Sequence, residues 1–354
     1  MKQTPPPAPA ARASGCSRRR LLGVGAWALG GLWGGMSQSP AASAGSGRAR
    51  SLVLIWLQGG PSQLETFDPQ PAADAGIRGA FGAVGVAGME AQICDRLPRL
   101  AAQGRAFSLV RGLSHAASDH GAATEAILGS AAGRPGGFPA EFARRRSGAW
   151  FRPGFFVGFR EMGCGFAGAA TLPALPAEEA MTGEREHYGG TRFGDHCRRA
   201  RRVVAGQGGV IVLSLPGWDA HCDLRHRYPR LLATLDAGLA ALLDDLRERG
   251  LLETTLVAAL GEFGRHPQLN AEGGRDHWPR AGCALVAGGG LPGGTVWGGT
   301  DRFGSEPLSA AWNPATLHGL LRERWGAATG DTREPALWIP AVTSGKPVRR
   351  RHNG

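Results

Sequence analysis

Three short apolar runs limit most strongly what this chain can fold into. They lie at residues 51–57, 210–215 and 254–260, and none is longer than seven residues. Apolar runs of this length are too short for buried helices and are typical of strands buried on both faces of a parallel sheet. The clearest helical pattern, at residues 228–249, lies between the second and third runs. This alternation predicts an α/β fold with a central, mainly parallel sheet covered by helices on both faces.

Weaker patterns complete the predicted sheet and its helices. Asn313 and Pro314 suit the N-cap and the first turn of a helix that ends at about Trp325. Further strands are predicted at residues 107–110 and 283–287, and further helices at residues 91–103 and 119–128.

Residues 133–208 differ from the rest of the chain. They are rich in Gly, Pro and Arg, and their apolar periodicity is weak. We interpret them as an irregular insertion within a single domain at residues 51–340, which a basic tail at residues 341–354 follows.

The N-terminus has the pattern of a twin-arginine export signal. Ser17-Arg-Arg-Arg-Leu-Leu22 precedes a Gly-rich apolar stretch and then the small residues Ala42-Ser-Ala44. We therefore predict that residues 1–44 are a signal peptide read by the twin-arginine translocase, and that the mature protein is periplasmic or secreted. The stretch is too short and Gly-rich for a stable membrane span. The alternative is a basic, disordered N-terminal tail.

The positive charge does not indicate a nucleic-acid partner. Cleavage after residue 44 removes five basic residues and no acidic one, so the formal net charge of +11 becomes +6. Basic runs interleaved with aromatic residues, which single-strand binders use, do not occur. The remaining excess can favour anionic substrates or surfaces, and a coding bias toward arginine explains it equally well.

Polar clusters directly follow two of the buried strands. Asp219 and His221 come after the run at 210–215, and two residues apart in extended chain they point to the same side. His277 belongs to the cluster that follows the run at 254–260. One carboxylate and two imidazoles form a common ligand set of catalytic zinc centres. The sequence thus predicts a divalent metal ion, without distinguishing zinc, manganese or calcium. A turn Asp beside a surface His remains the alternative.

Other side chains in these clusters suit the handling of an anionic ester. Glu262 is a candidate ligand or general base, or an ion-pair partner of a neighbouring arginine, and His120 is a second candidate for completing the site or acting as base. His120 also lies at a helix start, where Asp119 or Ser118 simply caps the helix in the alternative interpretation. Arg265 and Arg275 are expected to bind a phosphate or sulfate group, and Asp276 to orient a metal ligand.

Together these segments resemble the secreted bacterial family called domain of unknown function 1501. The resemblance covers about residues 51–325 and rests on Leu57-Gln-Gly-Gly-Pro-Ser-Gln-Leu-Glu-Thr-Phe-Asp-Pro69, Leu97-Pro-Arg-Leu100, Gly217-Trp-Asp-Ala-His221, Gly261-Glu-Phe-Gly-Arg265 and Gly274-Arg-Asp-His-Trp-Pro279. That family is similar to the alkaline phosphatase and sulfatase superfamily. The resemblance implies an alkaline-phosphatase-like sandwich with metal ligands at strand ends, and hydrolysis of phosphate or sulfate esters.

Transferred position by position, the resemblance implies one metal ion rather than two. Asp219, His221 and His277 correspond to the first ion's ligands. Gln58 and Phe263 stand where the superfamily has further ligands, and residues 118–121 lack the pattern of its covalent nucleophile.

We therefore expect a periplasmic metal-dependent hydrolase of phosphate or sulfate esters. The alternative is a binding or assembly protein that has lost catalysis on the same fold.

Overall fold

The computed structural model describes residues 49–129, 137–145, 155–157, 183–206, 208–308 and 312–325. The predicted signal peptide at residues 1–44, the basic tail at residues 341–354 and much of the predicted insertion lie outside the described residues.

Within the described residues, seven strands form the central sheet, in the order β11-β4-β10-β7-β1-β6-β5. In chain order the strands are β1 (Ser51–Gln58), β2 (Ala83–Gly85), β3 (Gln92–Cys94), β4 (Phe107–Leu113), β5 (Phe155–Val157), β6 (Gly209–Pro216), β7 (Thr255–Leu260), β8 (Gly264–Arg265), β9 (His277–Trp278), β10 (Gly282–Gly288) and β11 (Val296–Gly298). The three apolar runs form β1, β6 and β7, which lie side by side and parallel. The mainly parallel sheet is therefore confirmed.

Strand β10 is the exception, because it runs antiparallel to both of its neighbours, β4 and β7. A parallel return from β7 would need a crossover of a dozen or more residues, usually a helix. The chain between β7 and β10 instead forms a loop that contains the short strands β8 and β9. Without a helix in this connection, β10 pairs directly beside β7.

Helices cover both faces of the sheet, as predicted. They are α1 (Pro98–Ala101), α2 (His120–Leu128), α3 (Gly137–Arg145), α4 (Glu184–His187), α5 (Arg192–Gly206), α6 (Leu224–Glu248) and α7 (Pro314–Arg324). Alternate residues of β1 point to opposite faces. Val53, Ile55 and Leu57 pack into the cluster that includes α5 and α6. Leu52, Leu54 and Trp56 pack into the cluster that includes α2, α3 and α7.

The predicted helix at residues 91–103 is wrong over most of its length. Residues 92–94 form β3, and only Pro98–Ala101 is helical. A residue before proline avoids the helical region, and Leu97 accordingly has φ −118° and ψ 49°. The apolar spacing thus serves two short elements rather than one helix.

Part of the stretch interpreted as an irregular insertion is regular. Helix α5 has 15 residues and buries Phe193, Cys197 and Ala200 in the same core as α6. Five of its residues are arginines, two of which, Arg198 and Arg201, are buried, and this density of charge hides the apolar stripe in a simple reading of composition.

Among the described residues, no helix is both long and apolar enough to cross a membrane.

Helix α2 has well-defined ends, which matters because it begins at His120. The Asp119 side chain accepts hydrogen bonds from the Gly121 and Ala122 amides, and Gly129 ends the helix with φ 70°. A Cβ on Gly129 would lie 2.7 Å from the His318 ring, which is buried and hydrogen-bonded to the Ile127 carbonyl.

We expect Gly129→Ala to destabilise the protein by more than Gly250→Ala. Both glycines have positive φ, at 70° and 67°, and that conformation costs an alanine about 1–2 kcal/mol. Gly250 has open space around it, whereas Gly129 faces His318, so overpacking adds about 1–3 kcal/mol at Gly129 alone. Urea unfolding of both variants measures the difference, and equal losses would contradict the packing argument.

Candidate metal centre

The site lies where β1, β6 and β7 end. These neighbouring parallel strands bring their carboxyl ends to one edge of the sheet, with Gln58 beside Pro216 and Trp56 beside Leu260. The loop after β6 carries Asp219 and His221. The loop after β7 carries Glu262 and His277, and the first turn of α2 brings His120 to the same place.

Asp219, His221 and His277 lie close together, and His120 joins them, because one ligand atom from each of His120, Asp219 and His277 lies within 4.8 Å of the other two. His221 Nε2 lies 3.0 Å from His277 Nε2 and 3.0 Å from Asp219 Oδ1, and His277 Nε2 lies 3.3 Å from Asp219 Oδ1. A tetrahedral zinc ion with bonds of 2.0–2.1 Å would hold its ligand atoms about 3.4 Å apart. The three atoms therefore fit one face of a tetrahedral centre.

Both imidazoles are turned so that Nε2 faces the shared point. His221 Nδ1 lies 2.9 Å from Asp276 Oδ1, and His277 Nδ1 lies 2.7 Å from the Ser118 carbonyl. Each Nδ1–H donates to an oxygen, which leaves a lone pair on each Nε2. Burial lowers the pKa of His277 and so favours its neutral, ligating form. Two facing lone pairs 3.0 Å apart repel unless a cation or a proton lies between them.

Asp219 is held as a carboxylate. Its partial burial would raise its pKa, but the hydrogen bond and charge of Arg265, with contributions from His120 and His221, lower it to about 2. The contact from the Arg265 guanidinium to Asp219 Oδ1 is 2.6 Å. Asp219 is thus available as an anionic ligand at any physiological pH.

His120 and Glu262 form a second polar unit beside the three ligands. His120 Nδ1 lies 2.8 Å from Glu262 Oε1, which also accepts the Gly59 amide at 2.8 Å. The hydrogen bond with Glu262 raises the pKa of His120, against the opposing effect of burial. His120 Nε2 lies 3.4 Å from Asp219 Oδ2. Its nitrogen therefore reaches either a metal ion on Asp219 or a water molecule beside it.

Phe263, which cannot ligate a metal, forms the apolar wall behind these rings. Its ring centroid lies 4.4 Å from that of His277 and 5.0 Å from that of His120. Gly60 is needed against this wall, because a Cβ there would come within 2.4 Å of the Phe263 ring and Gly60 has φ 75°.

Neither predicted anion-binding arginine is available to a substrate. Both side chains are fully buried. Arg275 pairs with Glu65 at 2.8 Å and donates to the carbonyls of His266, Pro267 and Ile77. These hydrogen bonds hold the loop together and occupy the guanidinium group.

Arg265 likewise uses its N–H groups inside the protein. It donates to the carbonyls of Gly59, Gly60 and Arg275, and to Asp219. Arg265 thus supports the site from behind, and the expected contact with a substrate anion is corrected.

A cleft of about 410 Å³ opens beside the ligands. This volume falls in the range of small-molecule sites. Its polar lining is provided by Gln58, His120, Thr124, Asp219 and Glu262, with glycine backbone at residues 59, 121 and 217. A small molecule in this cleft would therefore contact both Asp219 and the His120–Glu262 pair.

Several solved structures superpose on the chain at low sequence identity. A lipoteichoic acid synthase from Listeria monocytogenes has a TM-score of 0.47 and 11% identity, over 81% of this chain and 74% of that one. A protein of the alkaline phosphatase superfamily from Vibrio parahaemolyticus has a TM-score of 0.43 and 9% identity, over 80% of this chain and 68% of that one. A sulfatase from Pseudoalteromonas sp. has a TM-score of 0.42 and 10% identity, over 80% of this chain and 69% of that one.

No curated protein sequence matches the chain significantly. The family model described as protein of unknown function (DUF1501) matches residues 49–151 and 167–331, and the chain therefore belongs to that family.

Proposed function

We propose that this protein is an exported, periplasmic hydrolase of phosphate or sulfate esters that depends on one divalent metal ion. The observation that carries the proposal is the convergence of three ligand atoms within 3.0–3.3 Å of one another, at the edge of a cleft that also contains the His120–Glu262 pair. Asp219, His221 and His277 would hold the ion. Of zinc, manganese and calcium, a set with two imidazoles favours zinc, because imidazole suits zinc whereas manganese and calcium prefer oxygen ligands.

The chain's own residues can then divide the work of hydrolysis. A divalent ion bound there supplies Lewis acidity. His120 would accept a proton at Nε2 from an attacking water molecule, while Glu262 stabilises the resulting imidazolium through Nδ1. The new bond from the water oxygen to phosphorus or sulfur replaces the bond to the ester's alcohol oxygen, and the alcohol leaves with that proton. Asp276 and the Ser118 carbonyl keep the two ligand rings oriented.

A binding or assembly protein on the same fold is the second candidate. Its support comes from two positions at which the superfamily has metal ligands. Gln58 there accepts a hydrogen bond from the Ser214 hydroxyl at 2.9 Å, and Phe263 only packs against the imidazole rings. Stoichiometric zinc together with turnover of aryl phosphates or aryl sulfates supports the hydrolase. Absence of both supports the binding protein.

We expect His277→Ala to abolish stoichiometric zinc binding, because it removes one of the three converging ligand atoms. His226→Ala is the matched control, since its imidazole is 84% exposed and lies outside the site. Elemental analysis and calorimetric titration of the purified variants give the zinc content and affinity. One zinc per chain retained in His277→Ala would refute the ligand assignment.

We expect Glu262→Gln to lower kcat by about 10²–10⁴-fold while zinc remains bound, because the imidazolium of His120 loses its partner. The pKa of His120, which Glu262 raises, should fall. Since the base acts only when deprotonated, the acidic limb of the pH–rate profile should move to lower pH.

Glu125→Gln is the control for this change, because Glu125 is exposed on the same helix. An unchanged pH–rate profile in Glu262→Gln would rule out the proton-accepting role of His120.

A further inference from the structure

The lining of the cleft is acidic. Asp219 and Glu262 contribute carboxylates to it, and among the described residues neither Lys nor Arg lines it. The two arginines nearest the site use their guanidinium groups on backbone carbonyls and on Asp219 and Glu65. The described cleft therefore has no free fixed cation to meet a substrate anion.

Glu262 strengthens this bias. Its side chain is only 3% exposed, and Oε1 accepts hydrogen bonds from Gly59 and His120. Oε2 has no hydrogen-bond partner among the described residues. A buried carboxylate oxygen without a donor repels a second anionic oxygen and accepts a hydrogen bond from a neutral or protonated group.

The charges of the proposed centre then nearly cancel. A divalent ion would contribute two positive charges and the Arg265 guanidinium one, while Asp219, Glu262 and Asp276 contribute one negative charge each. An ester with one negative charge meets an almost neutral cleft, whereas an ester with two leaves one charge without a counter-ion. Specificity of this kind comes from repulsion of the wrong ligand as much as from attraction of the right one.

We propose that the cleft selects esters that carry a single negative charge at the reacting group, namely sulfate monoesters or phosphate diesters, over dianionic phosphate monoesters. This inference rests on the proposed metal centre. It identifies the substrate class by charge and makes Glu262 a specificity-determining residue as well as the partner of His120.

The test compares three small ligands on the zinc-loaded, full-length protein at pH 8. Methyl sulfate and dimethyl phosphate carry one negative charge. Methyl phosphate, whose second pKa is about 6, carries nearly two. Dissociation constants from calorimetry are expected to be at least fivefold lower for both monoanions than for methyl phosphate. The difference in affinity between methyl sulfate and dimethyl phosphate then shows whether sulfate monoesters or phosphate diesters are the preferred substrate class.

Thr124 offers a variant that reverses the preference. It lines the cleft one helical turn after His120, so it lies on the same face of α2. Thr124→Lys adds a cation there and should tighten methyl phosphate relative to methyl sulfate by at least fivefold. Thr124→Met adds a side chain about as long as lysine but without charge, and should leave the ratio of the two dissociation constants near that of the unaltered protein. If Thr124→Lys does not fold, the three ligands on the unaltered protein still decide.

The outcomes separate the two proposals. A protein that binds zinc and prefers methyl phosphate, or binds none of the three ligands, overturns the charge selection and leaves the metal centre in place. A protein that binds no zinc overturns the metal centre, and this inference with it.

Discussion

The whole site depends on one buried cation, the guanidinium of Arg265. It is fully buried and donates hydrogen bonds to the carbonyls of Gly59, Gly60 and Arg275 and to the carboxylate of Asp219. These partners lie in the loops after β1, β6 and β7. A single planar group thus joins three loops that are far apart in sequence. A lysine would offer one compact ammonium in place of the flat fork, and could not reach the same acceptors together.

A second buried pair supports the first. Arg275 and Glu65 are both fully buried, and Glu65 also accepts hydrogen bonds from Ser62 and the Ala80 amide. Removing one partner of such a pair leaves an uncompensated charge and costs about 3–5 kcal/mol. The pair therefore fixes the loop after β7 against the loop after β1, and it is this fixed loop that presents Asp276 and His277 on the residues directly after Arg275.

The sheet and the proximity of Asp219, His221 and His277 were predictable because both leave a local signal. Continuous apolar runs mark β1, β6 and β7, and parallel neighbours must bring the clusters at their ends together. The roles of Arg265 and Arg275 were not predictable in the same way. The sequence around an arginine in a Gly-rich loop is the same whether its guanidinium faces a ligand or backbone carbonyls. The partner of Arg275, Glu65, is also 210 residues away in sequence. The Ser118 carbonyl that orients His277 is backbone, so no residue type signals it.

The position of Arg265 has two opposite effects on a metal ion at this site. A guanidinium 2.6 Å from Asp219 Oδ1 would share that oxygen with a bound ion and repel the ion, which would lower the affinity. The same contact holds Asp219 ionised and in one place, so little side-chain entropy is lost when an ion binds. The hydrogen bonds of Asp276 and Ser118 do the same for the two imidazoles. The protein therefore maintains the arrangement of Asp219, His221 and His277 through its own hydrogen bonds, at the expense of some attraction for a cation.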